Sequence, residues 1–185
     1  MDIAEVEQRV LDAAEALFYE HGVQAVGMDR LRSASGVSLK RLYQCFPSKE
    51  ALVEAWLRRR DRHWRGMLAG HVEHRPVGNR PLAVFEWLHA WFAEPGFRGC
   101  AFINAFGEMG TGSAAVADAV RDHKAEVRGY LLGLVRAAGA ESAERLADQL
   151  AVLVDGAITT AAITGESGAA LRARDAAAVL LAPTG

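Results

Sequence analysis

The sequence predicts an all-α protein of about nine helices, with a three-helix helix-turn-helix head at the N-terminus and a larger helical remainder behind it. Three observations carry this expectation. Apolar residues recur at three- and four-residue steps in one segment after another, the spacing of a single helix face. No segment alternates with period two for long, and a composition 51% hydrophobic but only 8% aromatic is rich in helix-favouring Ala and Leu. Finally, two short periodic stretches between residues 28 and 52 flank a glycine where a sharp inter-helix turn requires one. At 185 residues the chain can bury a good core, as one domain or as a small domain joined to a larger one. The expected division is residues 1–47 for the head and 48–185 for the remainder, with 48–70 as a connecting helix.

Residues 3–21 form the first expected helix: Ile3, Val6, Val10, Ala13, Ala14, Leu17 and Phe18 make its apolar stripe, and Gly22 closes it. Met28, Leu31 and Ala34 mark a second helix over 28–35. Gly36 supplies the φ > 0 residue of the turn, Val37 fills the corner, and Ser38 is an N-cap for a third helix. In that third helix Leu42 and Phe46 face inward and Pro47 ends it. Ser48 opens a fourth helix to about residue 69, carrying Leu52, Val53, Trp56, Leu57, Trp64, Met67 and Leu68. Pro76 and Gly78 mark a loop.

A helix over 81–93 follows, with Leu82, Phe85, Leu88 and Phe92 on one stripe and Trp87 and Trp91 on another. A helix apolar most of the way round is buried on both sides or lines a cavity. After the Glu94–Gly99 break comes a short apolar segment leading to Glu108. Ser113 then caps a long helix to about residue 138, Ser142 opens another to Gly165, and a last helix covers 169–181 with Leu171, Val179, Leu180 and Leu181.

The stretch G-V-S-L-K-R-L-Y-Q-C-F-P-S-K-E-A-L, from Gly36 to Leu52, resembles the DNA-binding signature of the TetR family of bacterial transcriptional regulators. Gly36, Val37, Ser38, Leu42, Tyr43, Phe46, Ser48, Lys49, Glu50 and Leu52 stand at the family's spacing. The likeness extends upstream through Ala13, Ala14, Leu17, Phe18, Gly22, Met28 and Leu31, about the first third of the chain. Gly27 departs from it where a capping Thr or Ser is usual, and Arg32 where a small residue is usual. The resemblance implies a homodimer with a C-terminal ligand-binding and dimerisation domain. It also implies a four-helix dimer interface, carried here by the helices over 114–138 and 142–165, and small effectors bound among the middle helices. Phe97-Arg98-Gly99-Cys100 further resembles an R-G-C element found in a subset of the family.

DNA binding assigns roles by residue chemistry. Ser38, Lys40, Arg41 and Gln44 sit where a recognition helix meets the major groove, Arg suiting guanine and Gln adenine. Tyr43 and Lys49 donate to phosphate oxygens, and Arg30 adds a cation near the same face. Between Met28 and Arg65 ten cations face four carboxylates, a formal +6 in a chain whose total is −2. That asymmetry is the footprint of a phosphate binder. Within it, the arginine-rich run 58–65 reads equally well as a solvated helix face.

An effector site would draw on Trp87, His89, Trp91, Phe92, Phe102, Phe106 and Glu108; taken singly, each aromatic is better explained as core. The effector expected of such a lining is apolar or aromatic. Gly110-Thr111-Gly112 lacks the βαβ setting of a dinucleotide site, and His71, Glu73 and His74 lack a third metal ligand. No Ser-His-Asp set or paired carboxylates indicate catalysis, and neither cofactor nor metal is expected. Cys45 and Cys100 are isolated, Cys100 being an oxidant sensor only if Arg98 stabilised its thiolate. With no leader segment and no apolar run near membrane-spanning length, the expectation is a cytoplasmic regulator, most simply a repressor. The competing reading is a small helical ligand-binding or catalytic domain whose helix-turn-helix is vestigial.

Overall fold

The computed structural model describes residues 2–182, and among them every regular element is helical. The order is α1 (Ile3–His21), α2 (Met28–Ser35), α3 (Leu39–Cys45), α4 (Lys49–Glu73), a 3-10 turn (Val77–Asn79), α5 (Arg80–Phe92), α6 (Ala101–Met109), α7 (Ala114–Ala137), α8 (Ala143–Thr164) and α9 (Ala169–Leu181). The all-α expectation and the helix order hold. The described residues form two compact units, one of residues up to 62 with 101–123, the other of 63–100 with 124 onward. Compactness therefore changes at residue 62, inside α4, rather than after residue 47, and α6 belongs with the N-terminal helices.

In the first unit α2 and α3 have only 8 and 7 residues, too short to persist alone in water. Their order comes from burial: Leu31 and Leu42 are fully enclosed and Val37 and Phe46 nearly so, against Val6, Val10, Ala14 and Phe18 of α1. Each such side chain contributes roughly 1.5–3 kcal/mol on leaving water. Local chemistry sets the ends. Asp2 Oδ1 accepts the Glu5 N–H at 2.8 Å to begin α1, and Ser48 Oγ accepts the Ala51 N–H at 3.1 Å to begin α4. Trp56 of α4 packs edge-on against Phe18 and donates its indole N–H to Glu15 Oε2 at 2.7 Å.

In the second unit α5 is enclosed nearly all round, Ala83, Val84, Phe85, Trp87, Leu88, Trp91 and Phe92 all being buried. Helix α4 runs past the expected end to Glu73 because Val72 is fully buried. Met67, expected on the inner stripe, is instead 45% exposed. Helix α8 buries most of its expected stripe (Leu146, Leu150, Val154, Ala157, Ile158 and Ala161) but leaves Ile163, with Val152, exposed. Helix α9 departs from the expected pattern: it buries Ala169, Ala170 and Ala177 and leaves Leu171 and Val179 exposed. Helix α8 also has the length and mean hydropathy, 1.4, of a membrane span. It carries Asp148 and Asp155, and its inner face is the core of its own unit.

Candidate nucleic-acid interface

The turn between α2 and α3 is built as its sequence requires. Gly36 takes the left-handed conformation (φ 67°, ψ 18°) and donates its N–H to the Arg32 carbonyl. Ser38, in extended conformation, caps α3 by accepting the Arg41 N–H at 3.4 Å. With Leu42 turned fully inward, Lys40, Arg41, Tyr43 and Gln44 all stand on the exposed side of α3, Tyr43 44% exposed. A 7-residue helix held by one inward leucine, its outer face donating through Lys, Arg, Tyr and Gln, has the chemistry to read base edges and grip phosphates.

Two flanking cations are not free rotors. The Arg30 guanidinium lies 2.8 Å from His21 Nε2. Because arginine only donates, the imidazole nitrogen is the accepting partner in that contact. Lys49 Nζ donates to the Gln24 carbonyl at 3.2 Å, tying the start of α4 to the α1–α2 loop. Neither His21 nor Gln24 was expected at the site. Their partners lie 9 and 25 residues away, beyond any local spacing signal.

Most of the arginine run on α4 is paired within the chain. Arg58 pairs with Glu54 at 2.9 Å and Asp122 at 3.0 Å. Arg59 pairs with Asp12, and Arg60 with Glu15 while lying over the Tyr19 ring at 3.8 Å. In the second unit Arg65 pairs with Glu126 at 3.1 Å. These four guanidinium groups serve carboxylates within the chain, which leaves Arg30, Arg32, Lys40, Arg41, Lys49 and Arg62 as the other cations of the segment.

A family model described as bacterial regulatory proteins, tetR family, matches residues 10–56, the stretch that contains this turn and cap. A solved structure from Streptomyces coelicolor, SCO4454, described as a TetR-family transcriptional regulator, superposes with a TM-score of 0.87 at 27% identity, over 96% of this chain and 95% of that one. By this match and this superposition the chain is similar to the TetR family. A second TetR-type structure, from Streptomyces avermitilis, gives a TM-score of 0.78 at 28% identity over 94% of this chain and 98% of its own. A Mycobacterium tuberculosis protein described as an uncharacterized HTH-type transcriptional regulator is 43% identical over 54 residues, 29% of this chain. That match spans only 27% of the mycobacterial protein's length.

The side chains expected around a TetR-type effector fall in both units. In the second, Trp87 and Trp91 stack at 5.6 Å, Trp64 meets both edge-on, and Phe92 and Phe97 extend the cluster. His89 places Nδ1 3.0 Å from the Ser167 carbonyl. A groove of about 510 Å³ in this unit is lined by Pro81, Leu82, Arg145, Leu146, Leu180 and others, and by none of the expected residues.

In the first unit, Phe102 stacks flat on His123 at 3.5 Å, and His123, only 4% exposed, meets Asp61 Oδ1 through Nδ1 at 2.7 Å. His123 lies in step with Val116, Val120 and Val127 on the buried stripe of α7, a spacing that could have singled it out. Phe106 is 44% exposed, and the Glu108 carboxylate is engaged with Gln24. Among the described residues no group of three or more His, Cys, Asp or Glu could hold a metal. Cys100 is buried with its Sγ 3.9 Å from Lys124 Nζ.

Proposed function

We propose that the chain is a homodimeric, sequence-specific DNA-binding transcriptional repressor of the cytoplasm, released from its operator by a small apolar or aromatic effector. The observation that carries this reading is the outward face of α3, where Lys40, Arg41, Tyr43 and Gln44 project from a helix fixed by the Gly36 turn and the Ser38 cap. Arg41 and Gln44 supply base-edge donors, while Tyr43, Lys49 and Arg30 supply phosphate contacts. Two-fold related half-sites need paired reading heads.

The surface of α8 and α9 supports such a pair. Val152 is 72% exposed, Ile163 80% and Val179 76%, and among the described residues nothing lies within 4 Å of where a Cβ on Gly156 would stand. A patch of that kind on a folded domain marks a contact surface. No large apolar residue is comparably exposed on the described part of α7, so the dimer surface proposed is α8 with α9 rather than α7 with α8. An effector that prefers the conformation unable to bind DNA lowers operator affinity by the same coupling factor. Trp64, Trp87 and Trp91 would report its entry.

The test is selection of duplexes from a random library by the purified protein, followed by titration at several salt concentrations. A regulator enriches a palindromic sequence and loses affinity steeply with salt. No enrichment and no salt dependence would leave the helix-turn-helix as a relic.

A further inference from the structure

Glu108 stands in the last turn of α6, the end where a helix already carries partial negative charge, so its carboxylate does nothing for α6 itself. Its contacts supply another role. Oε2 accepts the Gln24 backbone N–H at 2.7 Å, and the Gln24 side-chain amide donates back to the Glu108 carbonyl. That carbonyl is one of those a helix end leaves without an internal partner. The carboxylate lies over Gly22, whose φ is +86° and where a Cβ would stand 2.9 Å from Oε1. The backbone therefore favours glycine there, and a larger residue would also press on the carboxylate. From its other peptide group, Gln24 offers the carbonyl that accepts from Lys49 Nζ at 3.2 Å. One loop residue is thus held by α6 and itself holds the lysine.

We propose that Glu108 is a positioning residue for DNA binding: it clasps the α1–α2 loop so that the Gln24 carbonyl holds the Lys49 ammonium ready for phosphate. This rests on the DNA-binding reading given above. An ammonium has three donors, so one spent on Gln24 leaves two for phosphate oxygens. A lysine ordered in advance has less rotamer freedom to lose when the duplex arrives.

The experiment compares wild type, Glu108→Ala, Glu108→Gln, Lys49→Ala and the Glu108→Ala/Lys49→Ala double variant. Each is titrated with the duplex selected by wild type, and amide exchange at Gln24 is followed without DNA. Losing a hydrogen bond to a charged acceptor should speed Gln24 exchange about tenfold and weaken operator binding about fivefold in Glu108→Ala. Glu108→Gln should restore most of both, since its amide oxygen can accept the same N–H. In the Lys49→Ala background Glu108→Ala should cost nothing further. The same fivefold loss in that background would expose a general destabilisation and overturn the proposal. So would wild-type affinity in Glu108→Ala or Lys49→Ala, or unchanged Gln24 exchange. If wild type binds no duplex, the proposal falls with the DNA-binding reading, and fast Gln24 exchange in Glu108→Ala identifies that reading as the part that failed.

Discussion

Gly27 is the N-cap of α2 and has no side chain with which to cap it. Its backbone is extended (φ −83°, ψ 163°), a conformation any residue adopts, and nothing lies within 4 Å of where a Cβ would be. Gly27→Ser therefore adds a hydroxyl in open space, beside backbone N–H groups that the first turn leaves unpaired. Serine over glycine at an N-cap contributes a few tenths of a kcal/mol. Removing a glycine whose φ suits other residues contributes about 0.4–1 kcal/mol more through the unfolded chain. The sum, about 1 kcal/mol, slows exchange of the α2 amides roughly fivefold and raises Tm by about 2–4 °C for a chain of this size. Exchange read by mass spectrometry across α2, with a circular-dichroism melt in parallel, measures both. Operator binding should protect α2 strongly in wild type and less additionally in Gly27→Ser, since part of the ordering is then already done. Unchanged exchange in α2 would refute the reasoning, because it would mean that the missing cap does not limit the stability of this helix.

Arg41→Ala should relax preference at one base pair by about 1–3 kcal/mol, whereas Lys49→Ala should weaken all duplexes alike and lower the salt slope by about one, both read by competition titration. Leu42→Ala removes the fully buried side chain that seats α3, a loss of about 2–5 kcal/mol that should melt the head at lower urea. At the start of α8, hydrogen bonds from Arg136 and Arg128 hold the Glu144 and Asp148 carboxyls below the usual range. A lowered folded-state pKa means a contribution that is present at neutral pH and fades as pH falls through that value. Arg128→Gln should therefore flatten the acid limb of the stability curve and raise the Asp148 titration midpoint measured by NMR.

The helix-turn-helix was legible because everything that builds it is local. Gly36, Ser38 and Leu42 act within a few residues of themselves, and their spacing is their structure. The end of α4 was not, since Gly70 looks like a stop and only the burial of Val72 carries the helix beyond it. For the arginine run, the sequence holds the charges but not their partners. Arg59 finds Asp12 and Arg60 finds Glu15 across 47 and 45 residues, and no periodicity encodes such pairings. The role of Glu108 was hidden in the same way: its neighbours in sequence are Gly107 and Met109, while its hydrogen-bond partner is 84 residues distant. On α8 and α9 the periodic apolar residues were visible, but which of them face the core and which stay exposed was not.

The carboxylates of α1 that hold the α4 arginines also bear on selectivity. Asp12 and Glu15 keep Arg59 and Arg60 occupied, and Arg60 is bound to Tyr19 as well. Cations released from such pairs would be drawn to any phosphate backbone regardless of base sequence, raising the background affinity against which an operator must compete in a genome. On the proposed role of α3, discrimination would draw on these acids too: without Asp12 or Glu15 the protein would become stickier for DNA and poorer at choosing it.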